Sequence, residues 1–583
     1  MPSVAQTITR LHDSGLDRIR LEVFRSALVA AADEMSLALQ RAAYSTNIKT
    51  RLDFSCAIFD RSARVIAQSF TQPVHLGTLV HFVPRVVEIY GRDRLRPGDG
   101  ILCNDGHLGG LHLNDVCLLA PIFDGEDLVA YTAALAHHID VGGGTPGSIG
   151  LFQEIFQEGL IIPPTRVLVD GRVDENVFRL ILSNIRAPHE TGGDLRAQVA
   201  AVNIGGRRLR EIVAAYGLST FEQASEELMD YTERRVRAEI ANLPAGHYTA
   251  VGFLDNDGFT DEPIRIQVAI DLDADGARYD LSGSDAQRAC SVNTTYAMTY
   301  SACAYTLRAL IDPDLPMNDG FYRLLQVTAP PGTIVNSRRP AAIGAGSETG
   351  ARVLETAFRA LSSGMAERLT ADSKGCMCNI GFGGVSPRTG DYFVFYESTA
   401  GGYGARATKD GIEAVQPHMQ NTENSPVEET EANYPVQIVR YELIPDSEGA
   451  GRFRGGLGLR RDYLPEGAVR FSVLAERARF APQGLCDGLP ARTAHFVQNP
   501  DTAPQEFGSK LSVQLEPGEV FSIQMAGGGG FGPALERNPQ RVLDDVLDGK
   551  ISVDRARSVY GVVVDVAREQ VDLSATQAER TGR

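Results

Sequence analysis

Six of the 11 histidines fall between residues 75 and 138: His75, His81, His107, His112, His137 and His138. The same stretch holds Asp105, Asp115 and Asp140. Imidazole nitrogens and carboxylate oxygens together form a donor set that suits zinc, manganese or iron. Two spacings organise them. His112 and Asp115 stand as H-x-x-D, and His137-His138 follows directly on the apolar run Leu128–Ala136. The eight cysteines show no comparable order. Only Cys376 and Cys378 are close, as C-x-C with no second pair, and they read as small buried hydrophobes in a reducing compartment.

A hairpin is the element that must bring these residues together. Val116–Phe123 and Leu128–Ala136 read as strands flanking Asp124-Gly125-Glu126-Asp127, a strong turn signal. With the turn centred between Gly125 and Glu126, partner numbers sum to about 251, so His137 is expected opposite Asn114, between His112 and Asp115. Opposed Cβ atoms lie roughly 5 Å apart, within reach of one bridging ion. Asp53, just before a strand at Cys56–Asp60, is a candidate for a further ligand. A hydrogen-bonded His–Asp pair at a strand end would use the same residues without a metal, and spacing alone leaves both readings open. If an ion is bound with an open coordination position, it can activate water or polarise a carbonyl.

Other motifs point away from common chemistries. Asp271-Leu-Asp273-Ala-Asp275-Gly276 begins like a calcium loop, but its twelfth position is Ser282, so it reads as an acidic hairpin turn. The Gly-rich runs at Gly142–Gly144, Gly401–Gly404 and Gly527–Gly530 match no phosphate-loop pattern and read as turns. No G-x-S-x-G elbow is present. Any nucleotide site is therefore expected on another subunit.

The wider pattern is α+β, multidomain and β-rich, with an N-terminal helical and β-hairpin metal-binding region. A helix is expected from Asp17 to Arg41, with Phe24, Leu28, Ala31, Met35 and Leu39 on its apolar stripe. Strands follow at Cys56–Asp60, Arg64–Ser69 and Ile101–Asn104, then helices at Glu175–Ile185, Leu195–Tyr216 and Phe221–Asn242. Leu243-Pro-Ala-Gly246 marks a boundary, after which Ile264, Ile266, Val268 and Ile270 alternate with polar residues. A helix near Tyr300–Ile311, short strands from Tyr434 onward and a small helical tail complete the reading. The domains expected are 1–245, a metal-binding region; 246–433, mixed; and 434–583, β-rich with the tail.

Composition bounds the function. The 583 residues are 43% hydrophobic, enough for a packed core. The 56 Lys+Arg against 74 Asp+Glu give a net charge of −18, which argues against nucleic acid as a partner. Met1–Gly15 carries no secretory pattern, and no run approaches the roughly 18 apolar residues of a membrane span. A cytoplasmic protein with no membrane partner is expected.

The runs Asn47–Asp60, Pro73–Gly77, Gly109–Asp115, Ala136–Gly143 and Gln157–Pro164 resemble signatures of the hydantoinase B/oxoprolinase family. So do Asp312–Asn318, Asn421–Glu428, Arg454–Gly458 and Gly527–Gly532, in order along nearly the whole chain. The resemblance implies a two-component enzyme, a heterotetramer with an A-type ATPase subunit that uses ATP and magnesium to phosphorylate the substrate carbonyl oxygen. The B-type chain would carry a divalent metal, zinc or manganese, on Asp53, His112, Asp115 and His137. It implies a cyclic amide substrate of the hydantoin, lactam or 5-oxoproline type, opened by water that the ion activates. His138 or His75 would be the general base or a residue orienting the ligands. The same parts also serve a ketone carboxylase, and a structural metal on a non-catalytic scaffold is a third reading. Two segments depart from the family pattern: Asn104-Asp105-Gly106-His107, and Gly344-Ala-Gly346-Ser-Glu348-Thr349-Gly350-Ala351.

Overall fold

The computed structural model describes residues 18–582. The Met1–Gly15 stretch and the expected helix start at Asp17 lie outside the described residues. Helix α1 (Arg18–Ala42) buries Phe24, Leu28, Ala31, Met35 and Leu39, as the three- and four-residue spacing predicts. The single-turn helix α2 (Thr46–Lys49) leads into the first sheet.

That sheet has seven antiparallel strands in the order β2-β1-β5-β4-β3-β6-β7. They are β1 (Phe54–Asp60), β2 (Val65–Gln68), β3 (Gly100–Cys103), β4 (Asp115–Asp124), β5 (Asp127–His137), β6 (Thr165–Val169) and β7 (Arg172–Val173). Along β4 and β5 burial is nearly continuous, because both faces are covered. Val116, Leu118, Ala134 and Ala136 point into a core with α1 and helix α4 (Pro188–Tyr216). Cys117, Leu119, Ala133 and Leu135 point into the other core, with helix α3 (Pro73–Tyr90). Along β4, and along β5 from Ala130 onward, odd-numbered residues thus face α3 and even-numbered ones face α4.

The β4–β5 hairpin forms with the expected two-residue turn, Asp124 pairing Asp127, but its register departs from the expectation. Phe123 pairs Leu128 while Ile122 pairs Ala130, so Val129 is an extra residue on β5. This bulge shifts every pair beyond it by one. His137 consequently lies opposite Asp115, not Asn114.

Helices α4 and α5 (Leu218–Ile240) close the N-terminal part. Helix α4 starts seven residues before the expected Leu195. The added turns include Gly192 and Gly193, poor helix formers, yet Gly193 is helical and a Cβ there would strike the Tyr44 ring. Helix α3, with Pro73 at its first turn and Pro84 inside, has no counterpart in the sequence reading.

The second sheet, β11-β10-β9-β8, holds β8 (Gly246–Leu254), β9 (Ile264–Asp273), β10 (Gly276–Asp280) and β11 (Leu325–Thr328). Helices α6 (Tyr296–Arg308) and α7 (Gly346–Met365) pack against each other, α7 also against β8 and β9, and α6 against α3. Two further antiparallel sheets follow: β13-β12-β16-β19 and β14-β15-β20-β17-β18. Their strands are β12 (Asn379–Val385), β13 (Tyr392–Ser398), β14 (Val436–Ile444), β15 (Gly458–Pro465) and β16 (Val469–Leu474), then β17 (His495–Gln498), β18 (Gln505–Phe507), β19 (Lys510–Leu515) and β20 (Phe521–Gln524). Short helices at Pro539–Leu547, Val553–Ser558 and Leu573–Thr581 form the tail. One apolar cluster runs from Ala57 to Leu474, across the expected boundaries at 245 and 433.

The Gly-rich runs pack backbone on backbone. Gly449 N donates to Gly528 O at 2.8 Å and Gly528 N to Gly456 O at 2.9 Å, while a Cβ on Gly455 would overlap Gly528 O. At Gly527–Gly530 glycine therefore serves close approach, where the sequence suggested a turn.

Two buried glutamates fix the entry to α7. Glu158 accepts N–H groups of Ile343 (2.9 Å) and Gly344 (2.6 Å), and burial pushes its carboxyl up to about 8. Glu348 accepts from Met377 (3.1 Å) and Cys378 (3.1 Å), and burial, reinforced by Glu476, pushes it up to about 8 as well. The folded chain holds these protons to higher pH than the unfolded chain does. Their contribution to stability is full below an unfolded value near 4.5 and is lost as pH rises towards 8. The melting temperature is expected to fall between about pH 5 and pH 9. Glu158→Gln should flatten that decline, measured by thermal denaturation across the range.

Candidate metal centre

Three adjacent strands deliver one row of side chains. Phe54 pairs Ala136 and Asp115 pairs His137, so Asp53, His137 and Asp115 lie side by side across β1, β5 and β4. All are odd-numbered and face α3. Leu52 adopts φ +58° just before Asp53, and Asp53 O accepts from His137 N at 3.0 Å, which locks the row. His112 joins from the turn before β4, where Asp115 N donates to His112 O at 3.1 Å. His75, in the first turn of α3, covers the row: its Nε2 lies 3.5 Å from Asp115 Oδ1 and 3.8 Å from Asp53 Oδ1.

Donor atoms of His112, Asp115 and His137 all lie within 4.8 Å of one another, and all three residues are buried. Asp53 stands beside this trio, next to His75. Within the cluster His112 Nδ1 is 3.4 Å from Asp115 Oδ2, and the His112 and His137 rings meet edge to face at 4.9 Å. Both Asp115 oxygens, His112 Nδ1, His137 Nε2 and His75 Nδ1 are buried without a hydrogen-bond partner. Leaving that many polar atoms unsatisfied costs several kcal/mol, and a divalent cation accepting these lone pairs removes the cost. The donor set therefore fits such an ion.

The electrostatics separate Asp53, Asp115, His75 and His137. Burial raises Asp53 despite His75 and Arg51 nearby. Burial also opposes charge on Asp115, but His112 and His75 overcome it and hold that carboxyl well below the usual range. His75 is drawn down by burial and up more strongly by Asp115 and Asp53, so the net shift is upward. His137 is driven well down, first by burial and then by His112.

The remaining histidines do other things. His138 is even-numbered and faces α4, where its Nε2 donates to Gln198 Oε1 at 3.0 Å. Gln198 Nε2 in turn donates to Val116 O and Ala134 O, both at 2.8 Å, fixing that orientation. His107 Nε2 meets Ala341 O at 3.0 Å, and His81 packs edge-on against Tyr300 at 4.2 Å. Asp140 accepts from Arg186 and from the Gly142 and Gly147 amides, while Asp105 pairs with Arg339. The structure brings Asp53, His75, His112, Asp115 and His137 into one cavity and leaves His138 outside it.

Some residues acquire a role only in the structure. Asn47 Nδ2 lies 2.7 Å from His137 O, 3.2 Å from His137 Nδ1 and 3.4 Å from Asp53 Oδ2. Its Oδ1 accepts from Arg51 at 2.7 Å, and Arg51 reaches on to Glu423 O and Ser398. One amide thus orients two residues of the row. Tyr396 of β13 stacks on His137 at 4.4 Å with an interplanar angle of 19°. Asn47 is six residues from Asp53, a local signal open to sequence reasoning. Tyr396 is far along the chain, and no spacing announces it.

A solved structure shares this architecture. A chain of the crystal structure of ATP-dependent caprolactamase from Pseudomonas jessenii superposes with a TM-score of 0.90 at 31% identity, covering 97% of this chain and 100% of that one. The beta chain of caprolactamase from the same organism is 33% identical over 97% of this chain and 99% of its own length. A provisionally named D-/L-hydantoinase B-type subunit of Pseudomonas sp. (strain NS671) is 34% identical over 97% and 98%. The 5-oxoprolinase 1 of Arabidopsis thaliana is 32% identical, with 91% of this chain matching 43% of that protein. The family profile described as hydantoinase B/oxoprolinase matches residues 17–534, and the chain belongs to this family of enzymes.

Asn47→Ala is expected to weaken binding of a divalent ion by about 10- to 100-fold, since groups that orient ligands contribute that much. His138→Ala should leave affinity nearly unchanged. Titration of the chelator-treated protein with zinc and with manganese, followed by calorimetry, checks both.

Proposed function

We propose that this chain is the metal-bearing B-type subunit of a two-component, ATP-dependent amidohydrolase that opens a cyclic amide in the cytoplasm. The single observation that carries the reading is the cluster of partnerless buried donors on His112, Asp115 and His137, flanked by Asp53 and His75, in a chain of this family. Relatives named as caprolactamase, hydantoinase and 5-oxoprolinase share cyclic amides as substrates by name, and two of them are named as subunits. No described helix is long and apolar enough to cross a membrane.

The chemistry follows from the amide. A lactam carbonyl is conjugated with its nitrogen and is a poor electrophile at neutral pH. Transfer of a phosphoryl group to the carbonyl oxygen by an A-type ATPase partner, using ATP and magnesium, would make the ring carbon electrophilic. One water then expels the ring nitrogen and leaves an acyl phosphate, which a second water cleaves to carboxylate and phosphate. A divalent ion on His112, Asp115 and His137, with Asp53 beside them, would lower the pKa of a water towards about 7 and polarise the reacting group. The protein's own residues do the rest. Asp53 and Asp115 hold the His75 ring between them and raise its proton affinity. His75 then takes a proton at Nε2 from the attacking water and returns it to the departing ring nitrogen. Tyr396, stacked on His137, and the cavity's apolar walls keep bulk water away. His138 has its Nε2 committed to Gln198 on the opposite face of the sheet, so the proton work falls to His75.

Co-expression with a candidate A-type ATPase protein, followed by assay with ATP, magnesium and a panel of hydantoins and lactams, tests the proposal. Ring opening coupled to ADP release is expected. His75→Ala should lower kcat by about 100- to 10,000-fold with an unchanged melting temperature. Bicarbonate-dependent carboxylation of a ketone, with no ring opening, would overturn the reading.

A further inference from the structure

The cavity around the candidate centre is closed. Each residue that lines it is buried, and its free volume is about 20 Å³, room for an ion and about one water. No cyclic amide fits that space, so part of the wall must move before one can reach the row. Most of the wall is regular structure: the row is set by β1, β4 and β5, Val74 and His75 lie in α3, Met298 in α6 and Ser347 in α7. Leu111 and Met377 lie in loops pinned by buried bonds. Thr295 Oγ1 donates to Gly110 O at 2.7 Å, and Met377 N to Glu348 at 3.1 Å. Met419 and Gln420 belong to a segment of another kind.

Gln416–Thr422 is an irregular strap between two anchors. Val415 N donates to Gly401 O at 3.1 Å on one side, and Glu423 N to Arg51 O at 3.0 Å on the other. Between the anchors its backbone is tied to the body by two bonds at the start of α3. Val74 N donates to Met419 O at 3.2 Å, and Asn421 N to Gln72 Oε1 at 2.7 Å. Packing against the strap is incomplete on either face, because Pro417, His418, Met419 and Gln420 also line a second cavity of about 10 Å³. Gln420, which borders both cavities, has its Oε1 buried with no hydrogen-bond partner.

One side chain holds the strap down. His418 has φ +61°, in the left-handed region, which is unfavourable for a residue with a Cβ. Its ring offsets that cost. It lies 5.9 Å from the Tyr305 ring, 5.3 Å from Phe358 and 5.0 Å from Tyr403, with Nε2 3.2 Å from Ser373 Oγ and Nδ1 3.3 Å from Tyr403 Oη. Burial drives the ring down to about 3, so it is neutral, a donor at one nitrogen and an acceptor at the other, which the two hydroxyls satisfy. From this geometry we infer that Gln416–Thr422 is a lid that opens to admit the substrate and closes over the centre, with His418 as its latch. Opening gives up the ring's contacts but relieves the backbone, so the two states lie close in energy. Closing shuts out bulk water. The inference rests on the amidohydrolase reading for what enters, and not for the motion.

The test uses the full chain carrying Cys486→Ser, which removes the one exposed cysteine and leaves the seven buried ones. Ser347→Cys then places a thiol on the α7 side of the cavity, and its rate of labelling by iodoacetamide reads opening without need of ion or turnover. His418→Ala is expected to speed that labelling by about 10-fold or more, with the seven native thiols still protected. Tyr403→Phe, which removes only one of the latch's hydrogen bonds, is expected to speed it by about 2- to 10-fold. It carries the test alone if His418→Ala does not fold. Labelling that these variants do not accelerate overturns the lid. So does labelling that appears only together with the native thiols, which marks global unfolding. Either result leaves the amidohydrolase reading to the ring-opening assay.

Discussion

Two buried carboxylates and three buried imidazoles share one small cavity, and few of their polar atoms have a protein partner. They are cut off from bulk solvent, and no lysine or arginine lines the cavity. A cation, or a proton held among them, reconciles that arrangement with a folded interior. Much of the surrounding architecture serves to hold it. The first sheet supplies Asp53, His137 and Asp115 as a row across neighbouring strands. The bulge at Val129 sets that row, because without it His137 would stand opposite Asn114, whose carboxamide is spent on the His138 and Gly147 carbonyls. Helix α3 then lowers His75 onto the row from one face, while α4 draws His138 away on the other through Gln198.

The support extends far beyond the residues that touch the cavity. Asn47 links His137 and Asp53 to Arg51, and Arg51 links them to the strap around Glu423 and to β13. Tyr396 of β13 stacks on His137. Glu158 and Glu348 pin the two ends of the segment that brings Ser347 to the cavity wall. Segments from residue 47 to residue 420 thus meet at one place, which explains why one apolar cluster crosses the expected boundary at 245.

Much of this was legible in the sequence, and the reasons are local. Six histidines in one stretch, an H-x-x-D and a two-residue turn are near-neighbour features, so the hairpin and its open end could be read directly. The β-bulge could not, since nothing in Leu128–Val129–Ala130 distinguishes an extra residue from a regular strand. His138 was indistinguishable from His137 until strand parity assigned them to opposite faces. Helix α3 was hidden by its two prolines, although the first sits at a helix start, where it costs no hydrogen bond. Tyr396, Met377 and Gln420 are far from the cluster in sequence, and only tertiary packing brings them there. The Gly-rich runs carried an ambiguous signal, since turns and close backbone packing both require glycine.

On the proposed reading, the acidic, glycine-rich chain holds a divalent ion where an activated cyclic amide can meet it. Crystals of the protein as purified, with diffraction recorded on either side of the zinc and manganese absorption edges, test this most directly. One anomalous peak per chain is predicted, within bonding distance of His112, Asp115 and His137. A cavity without such a peak, or an ion bound only elsewhere in the chain, would contradict it.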